Sequence, residues 1–270
     1  MNKNLITRII VAIIFGPLII LACYTGGYWL LGMIMLFALI GAIEYMNAGG
    51  LKVSSVEFWL TLIFLIQIVY VASRVSFDYA FISFTVFFIL NGLIFAVRDK
   101  PPAELFDRQI RLVWVVAYLG LLYPFVYRIT ELSDIGGDWL LFLFGTLWLS
   151  DTLAMFIGKA FGKRKLAPTV SPNKTVAGFA GGLLGGIIVA MILAYWRLSG
   201  HYIPYLLGAG VLVSLVGQLG DLVESCWKRA IGIKDSSAII PGHGGVLDRF
   251  DSLLFAAPVL YLYLRFIIYT

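Results

Sequence analysis

What most constrains this 270-residue chain is a succession of apolar blocks, each roughly the 17 to 25 residues that a helix needs to cross a bilayer core of about 30 Å. The blocks lack the two-residue alternation of a membrane barrel. Within lipid the backbone must satisfy its own hydrogen bonds, so blocks of this length predict helices. Only 13% of the residues are charged, against about 25% in a soluble domain, too few to cover a water-facing surface. The expected fold is an all-α integral membrane protein, a polytopic bundle of about nine transmembrane helices. Polar punctuation places the spans near 9–24, 28–46, 56–72, 79–97, 110–127, 139–158, 176–195, 203–222 and 252–269.

The first block follows Lys3 and Arg8 as a signal peptide would, but no small-residue cleavage site comes after it, which predicts a retained span. Of the 20 Lys and Arg residues, 16 fall at the N-terminus or in connections after even-numbered spans, and Arg74, Arg128, Arg197 and Arg265 fall on the other side. The positive-inside rule then makes the N-terminus and the charge-rich loops cytoplasmic and the C-terminus external. The same bias accounts for the net charge of +5 without a nucleic-acid partner. Residues 1–270 are read as one membrane domain, with N-terminal helices to about 135 and a catalytic region over about 136–270. Cys23 and Cys226 show neither a disulfide framework nor metal-ligand spacing.

Two segments interrupt the apolar pattern. The first begins at Asp151 and runs through Lys159, Lys163, Arg164 and Lys165 to Ser171, Pro172, Asn173, Lys174 and Thr175, and no acidic residue occurs between Thr152 and Gly220. Cations, hydroxyls and an amide without competing carboxylates suit an anion with several phosphate oxygens. Lys163 to Lys165 also read as headgroup anchors. A carboxylate inside a span is costly and faces the bundle interior, so Asp151 reads either as a partner for a basic residue or as part of a site.

The second segment holds Gln218, Asp221, Glu224, Ser225, Lys228, Arg229, Lys234, Asp235, Pro241 to Gly245, Asp248, Arg249 and Asp251. On a helix, Asp221, Ser225 and Lys228 recur at spacings of four and three and share a face. Carboxylates gathered with Lys and Arg fit magnesium, which one or two carboxylates hold together with substrate phosphates. Phosphoryl and nucleotidyl transfer need mainly such positioning and charge stabilisation. Zinc and iron do not fit, because His201 and His243 are the two histidines and sulfur ligands are lacking. His243 reads as a phosphate contact or as a loop histidine bonded to backbone, and Cys226 reads as packing.

Over the 27 residues from Ser225 to Asp251 the chain resembles the phosphatidate cytidylyltransferases, also called CDP-diacylglycerol synthases. The match covers Ser225, Lys228-Arg229, Lys234-Asp235, Pro241, His243 to Gly245, and Asp248, Arg249 and Asp251. Ser171 to Thr175 is similar to the family's Ser-Pro-x-Lys-Thr element, and the hydropathy agrees over the whole chain. Trp227 replaces a smaller apolar residue, and Ala177 replaces a common Glu, which removes a carboxylate from that region.

The resemblance implies that phosphatidic acid attacks the α-phosphate of CTP, giving CDP-diacylglycerol and pyrophosphate with magnesium (Mg2+) as cofactor. It assigns Asp221, Asp248 and Asp251 to the metal, and Lys228 and Arg229 to catalysis beside them. Lys234, His243 and Arg249 would bind phosphate, with Ser171, Asn173, Lys174 and Ser225 helping to hold substrate. It also implies a homodimer in the inner (plasma) membrane, with a polar cavity at the cytoplasmic face open to the lipid bilayer. The rival readings are a CTP-dependent transferase or kinase acting on an isoprenoid or polyprenol lipid, and a transporter. Transporter sites lie near the midplane, whereas these charges gather at one face.

Overall fold

The computed structural model describes residues 3–198, 202–239 and 244–269. His201 and His243 lie outside them. Among the described residues eight helical segments are long and apolar enough to cross a membrane, and Phe15–Thr25 is a shorter apolar stretch of helix. In chain order the helices are α1 (Lys3–Thr25), α2 (Gly27–Ala48), α3 (Val56–Arg74), α4 (Phe77–Ala96), α5 (Pro102–Val115), α6 (Pro124–Thr130), α7 (Gly136–Phe161), α8 (Val176–Trp196), α9 (Ile203–Ala230) and α10 (Leu247–Tyr263). The fifth span is made of α5, a π-helical turn at Val116–Gly120 and α6, and a second π-helical turn at Leu264–Ile268 ends α10. The expected spans all fall on helix.

Local chemistry sets the ends. Ser76 starts α4 by accepting the Asp78 N–H at 3.0 Å on its hydroxyl, and Thr175 does the same for α8 with the Gly178 N–H at 3.1 Å. Proline stands in the first turn of α5 and of α9, where no helical N–H is needed. One element had no counterpart in the expected all-helical pattern: a short antiparallel hairpin of β1 (Lys165–Ala167) and β2 (Ser171–Thr175), with Lys165 opposite Thr175 and Ala167 opposite Ser171. Two helices also run further than hydropathy indicates. Charged α9 continues to Ala230, and α10 starts at Leu247, so Asp248 and Asp251 are helical residues.

The chain forms two compact units. One is built mainly from Gly27–Tyr127 and Asp235–Arg249, the other from Val11–Gly26, Arg128–Lys234 and Phe250–Thr270. In the first, Leu30, Leu65, Ile68 and Leu119 are fully buried among α2, α3 and the π turn. Glu57, at the start of α3, is buried and pairs with Arg98 at 2.8 Å and Arg108 at 3.8 Å.

In the second unit α8 packs between α7 and α9. Glycine is required where Gly186 and Gly210 meet, since a Cβ on either would collide with the other's carbonyl oxygen. A polar ladder joins the same three helices. The Ser150 and Ser214 hydroxyls lie 2.8 Å apart, Ser214 donates to the Gly182 carbonyl at 2.7 Å, and the Gln218 amide donates to Phe179 O at 3.3 Å. Such bonds matter in lipid, where hydrophobic attraction between helices is absent. At the other end of this unit, Arg197 donates to Asp138 at 2.9 Å, and that hydrogen bond raises the guanidinium pKa further. Tyr24 donates to the same carboxylate at 2.9 Å.

Candidate active site

A cavity of about 650 Å³ opens in the second unit where α7 ends, α8 begins and α9 approaches its end. Asp151, Gly158 and Lys159 line it from α7, Lys165, Asn173 and Lys174 from the hairpin, Thr175 and Gly178 from the start of α8, and Gln218 and Asp221 from α9. Three lysines face two aspartates there. The α8 N-terminus adds partial positive charge, with no acidic side chain in its first turn. Together these give the recess a positive potential inside an apolar bundle, the setting in which phosphate oxygens are held.

The hairpin gives the cavity its definition. Pairing of β1 with β2 places Lys165 beside Thr175, and β2 leads directly into the cap of α8. Lys174 therefore projects from a fixed strand, and its ammonium reaches Asp221 Oδ2 at 2.7 Å. Ser171 opens the same strand, half-buried and opposite Ala167. Asp151 lines the cavity together with Lys159, Lys165 and Lys174.

Along α9 the expected shared face is realised in part. The Ser225 hydroxyl donates to Asp221 Oδ1 at 3.3 Å, one turn away. Lys228 is buried and pairs with Glu224 at 3.3 Å. Asp251, from α10, lies within hydrogen-bond reach of Glu224 and in the electrostatic range of both Asp221 and Lys228. Three carboxyl groups and Lys228 thus form a compact ionisable group. Arg229 is exposed and spends its N–H groups on carbonyls, that of Val170 at 3.3 Å and that of Ile233 at 2.9 Å, so it ties the end of α9 to the hairpin turn.

The remaining motif residues belong to the first unit or to its approach. Asp248 is buried, and its Oδ2 accepts three hydrogen bonds: from the Ser236 N–H at 2.9 Å, the Ser236 hydroxyl at 3.0 Å and the Gly245 N–H at 2.8 Å. Lys234 and Arg249 are exposed. Glu44, which the sequence reading did not single out, is buried on α2 and accepts from Ser236, Ser237, Val246 and Leu247. The signal was available: a carboxylate inside a predicted span is as costly as Asp151 and requires partners.

Among the described residues no three or more His, Cys, Asp or Glu side chains are arranged to hold a metal ion by themselves. Magnesium does not demand such a cage, because it keeps water and is completed by substrate phosphates around one or two carboxylates. Asp221 and Asp251 supply two carboxylates in one unit, with Lys174 and Lys228 offsetting their charge. The donor chemistry therefore fits a magnesium ion that arrives with a phosphate ligand.

These helices and this recess define an integral membrane protein with a cation-rich polar cavity in an apolar bundle. The pattern of the cytidylyltransferase family matches residues 6–267. The chain belongs to that family and is a nucleotidyltransferase. It is similar to the phosphatidate cytidylyltransferase of Staphylococcus aureus (strain COL), 36% identical over 272 residues, covering 96% of this chain and 97% of the relative. The phosphatidate cytidylyltransferase of Staphylococcus haemolyticus (strain JCSC1435) is 38% identical over 263 residues, with the same coverage.

Proposed function

We propose that this protein transfers CMP from CTP to phosphatidic acid, releasing pyrophosphate and leaving CDP-diacylglycerol in the membrane. The observation that carries the reading is similarity to phosphatidate cytidylyltransferases over 96% of the chain. A phosphate oxygen of the lipid attacks the α-phosphorus of CTP. The new oxygen–phosphorus bond forms as the bond to the bridging oxygen of the β-phosphate breaks, and pyrophosphate leaves. The lipid phosphate is the nucleophile, so no Ser or Cys need form a covalent intermediate.

The protein's part is to position phosphates and balance their charge. Lys159, Lys165 and Lys174 line the cavity and neutralise triphosphate oxygens, with Asn173 donating a hydrogen bond. The Lys174 ammonium is buried beside Asp221 at 2.7 Å, and a phosphate oxygen arriving in the cavity supplies the counter-charge that a buried ammonium requires. Lys228, paired with Glu224 at 3.3 Å, offsets the acidic side chains beside it. Ser171 and Ser225 support the strand and Asp221. By their places in the family motif, Lys234, His243 and Arg249 contact phosphate and Arg229 frames the site. Magnesium held by Asp221 and Asp251, with Asp248 assigned to the metal by its place in the family motif alone, would supply charge neutralisation at the phosphate oxygens.

The bias of 16 basic residues against four supports an inner-membrane protein whose site faces the cytoplasm, where CTP is found. Family habit supports a homodimer. The test is to supply purified protein with phosphatidic acid, magnesium and each nucleoside triphosphate in turn and to follow pyrophosphate. Release is expected with CTP and lipid together. Release of CDP instead would make the protein a kinase, and an equal rate with a polyprenyl phosphate would move the substrate class.

A further inference from the structure

The Glu44 carboxylate is 2% exposed, within a helix long and apolar enough to span a membrane. Its Oε1 accepts from the Ser237 hydroxyl at 2.6 Å and the Val246 N–H at 2.9 Å. Its Oε2 accepts from the Leu247 N–H at 2.9 Å and the Ser236 hydroxyl at 3.2 Å. All four donors come from a segment about 200 residues further along the chain. Two of them are backbone groups at the start of α10 that have no partner within that helix, so Glu44 caps α10 from another element.

The same segment is held from within by Asp248. The Ser236 hydroxyl lies 3.0 Å from Asp248 Oδ2 and 3.2 Å from Glu44 Oε2 and has one proton to give. The two carboxylates are therefore geared through a single serine. Gly245 completes the arrangement, since a Cβ there would stand 2.6 Å from Glu44 Oε2 and would collide with the Ser236 hydroxyl. A carboxylate placed in an apolar span at a cost of about 2.5 to 3.5 kcal/mol is devoted to the backbone that carries Asp248.

We propose that Glu44 is a positioning residue for the transfer reaction: its carboxylate holds Ser236, Ser237 and the first residues of α10, and thereby the orientation of the Asp248 carboxylate. The proposal rests on the cytidylyltransferase reading for the reaction and on the hydrogen bonds alone for the anchoring. Glu44→Gln conserves size but turns an N–H₂ group toward a backbone N–H or a serine, breaking the cap on one side. Ser237→Ala removes one donor and leaves the carboxylate in place.

The test compares purified full-length wild type, Glu44→Gln and Ser237→Ala in detergent. It measures kcat and KM for CTP with phosphatidic acid and magnesium, the melting temperature, and amide hydrogen exchange over 236–248. Glu44→Gln is expected to lower kcat by about tenfold or more, the usual effect of losing a residue that orients a catalytic ligand. KM for CTP should stay within about threefold. Exchange at 244–248 should accelerate while α8 is unchanged, and Ser237→Ala should move the same readings by about threefold. Unchanged kcat with faster exchange, or a loss of activity that follows only the loss of folded protein with unchanged exchange, would overturn the proposal. If Glu44→Gln does not fold, the Ser237→Ala readings decide. A wild type without CTP-dependent turnover would sink the activity reading, and the exchange comparison would still decide the anchoring.

Discussion

At the scale of single residues, the carboxylates of this protein do different work although the sequence makes them look alike. Asp221 faces the cavity, 2.7 Å from the Lys174 ammonium. Asp221→Asn is expected to fold normally and lose about a hundredfold or more in turnover, the scale of losing one charge-stabilising group. Full magnesium-dependent incorporation of labelled CTP into lipid by that variant would remove Asp221 from the reaction. Asp248 has one oxygen committed to three donors, and Asp248→Asn can turn its amide oxygen to the same donors. It separates charge from anchoring: a normal melting temperature with lost turnover is expected, and retained turnover would make Asp248 purely structural.

At the scale of elements, the helices were legible because each apolar block is long enough to be nothing else, and the predicted spans fall on helix. The hairpin was not legible. Residues 163–175 have no alternation and no apolar face, and the strand is stabilised by leading into the cap of α8 rather than by burial. The spacing argument on α9 found the contact of Asp221 with Ser225 but could not foresee that Lys228 turns to Glu224 and Asp251. Glu44 was overlooked because its four partners are distant in sequence, and periodicity reports only neighbours. Packing of α8 on α9 depends on the bare backbones of Gly186 and Gly210. Gly186→Val is expected to destabilise by about 3 kcal/mol or more, read as a lower melting temperature in detergent. An unchanged melting temperature would show that the helices can part without cost.

At the scale of the whole molecule, the bias of 16 basic residues against four sets the predicted orientation. Lys163→Cys should react with a membrane-impermeant maleimide only when the cytoplasmic face is accessible, and Asp134→Cys only from the opposite side, with Cys23 and Cys226 replaced by serine. Labelling of both from one side would break the topology, and exchange of the two sides would reverse it.

The anchoring of α10 by Glu44 also bears on how the chain is made. Glu44 leaves the ribosome 192 residues before Ser236, about ten to forty seconds at ordinary rates of synthesis. Through that interval an acidic group in a span has none of the donors it has in the finished protein. The segment that carries Ser236, Ser237, Val246 and Leu247 thus supplies, late in synthesis, the donors that an early carboxyl group requires. A product truncated before that segment leaves the Glu44 carboxyl group in the bilayer without its four hydrogen-bond donors, a polar mark by which quality control can tell the unfinished chain from the finished one.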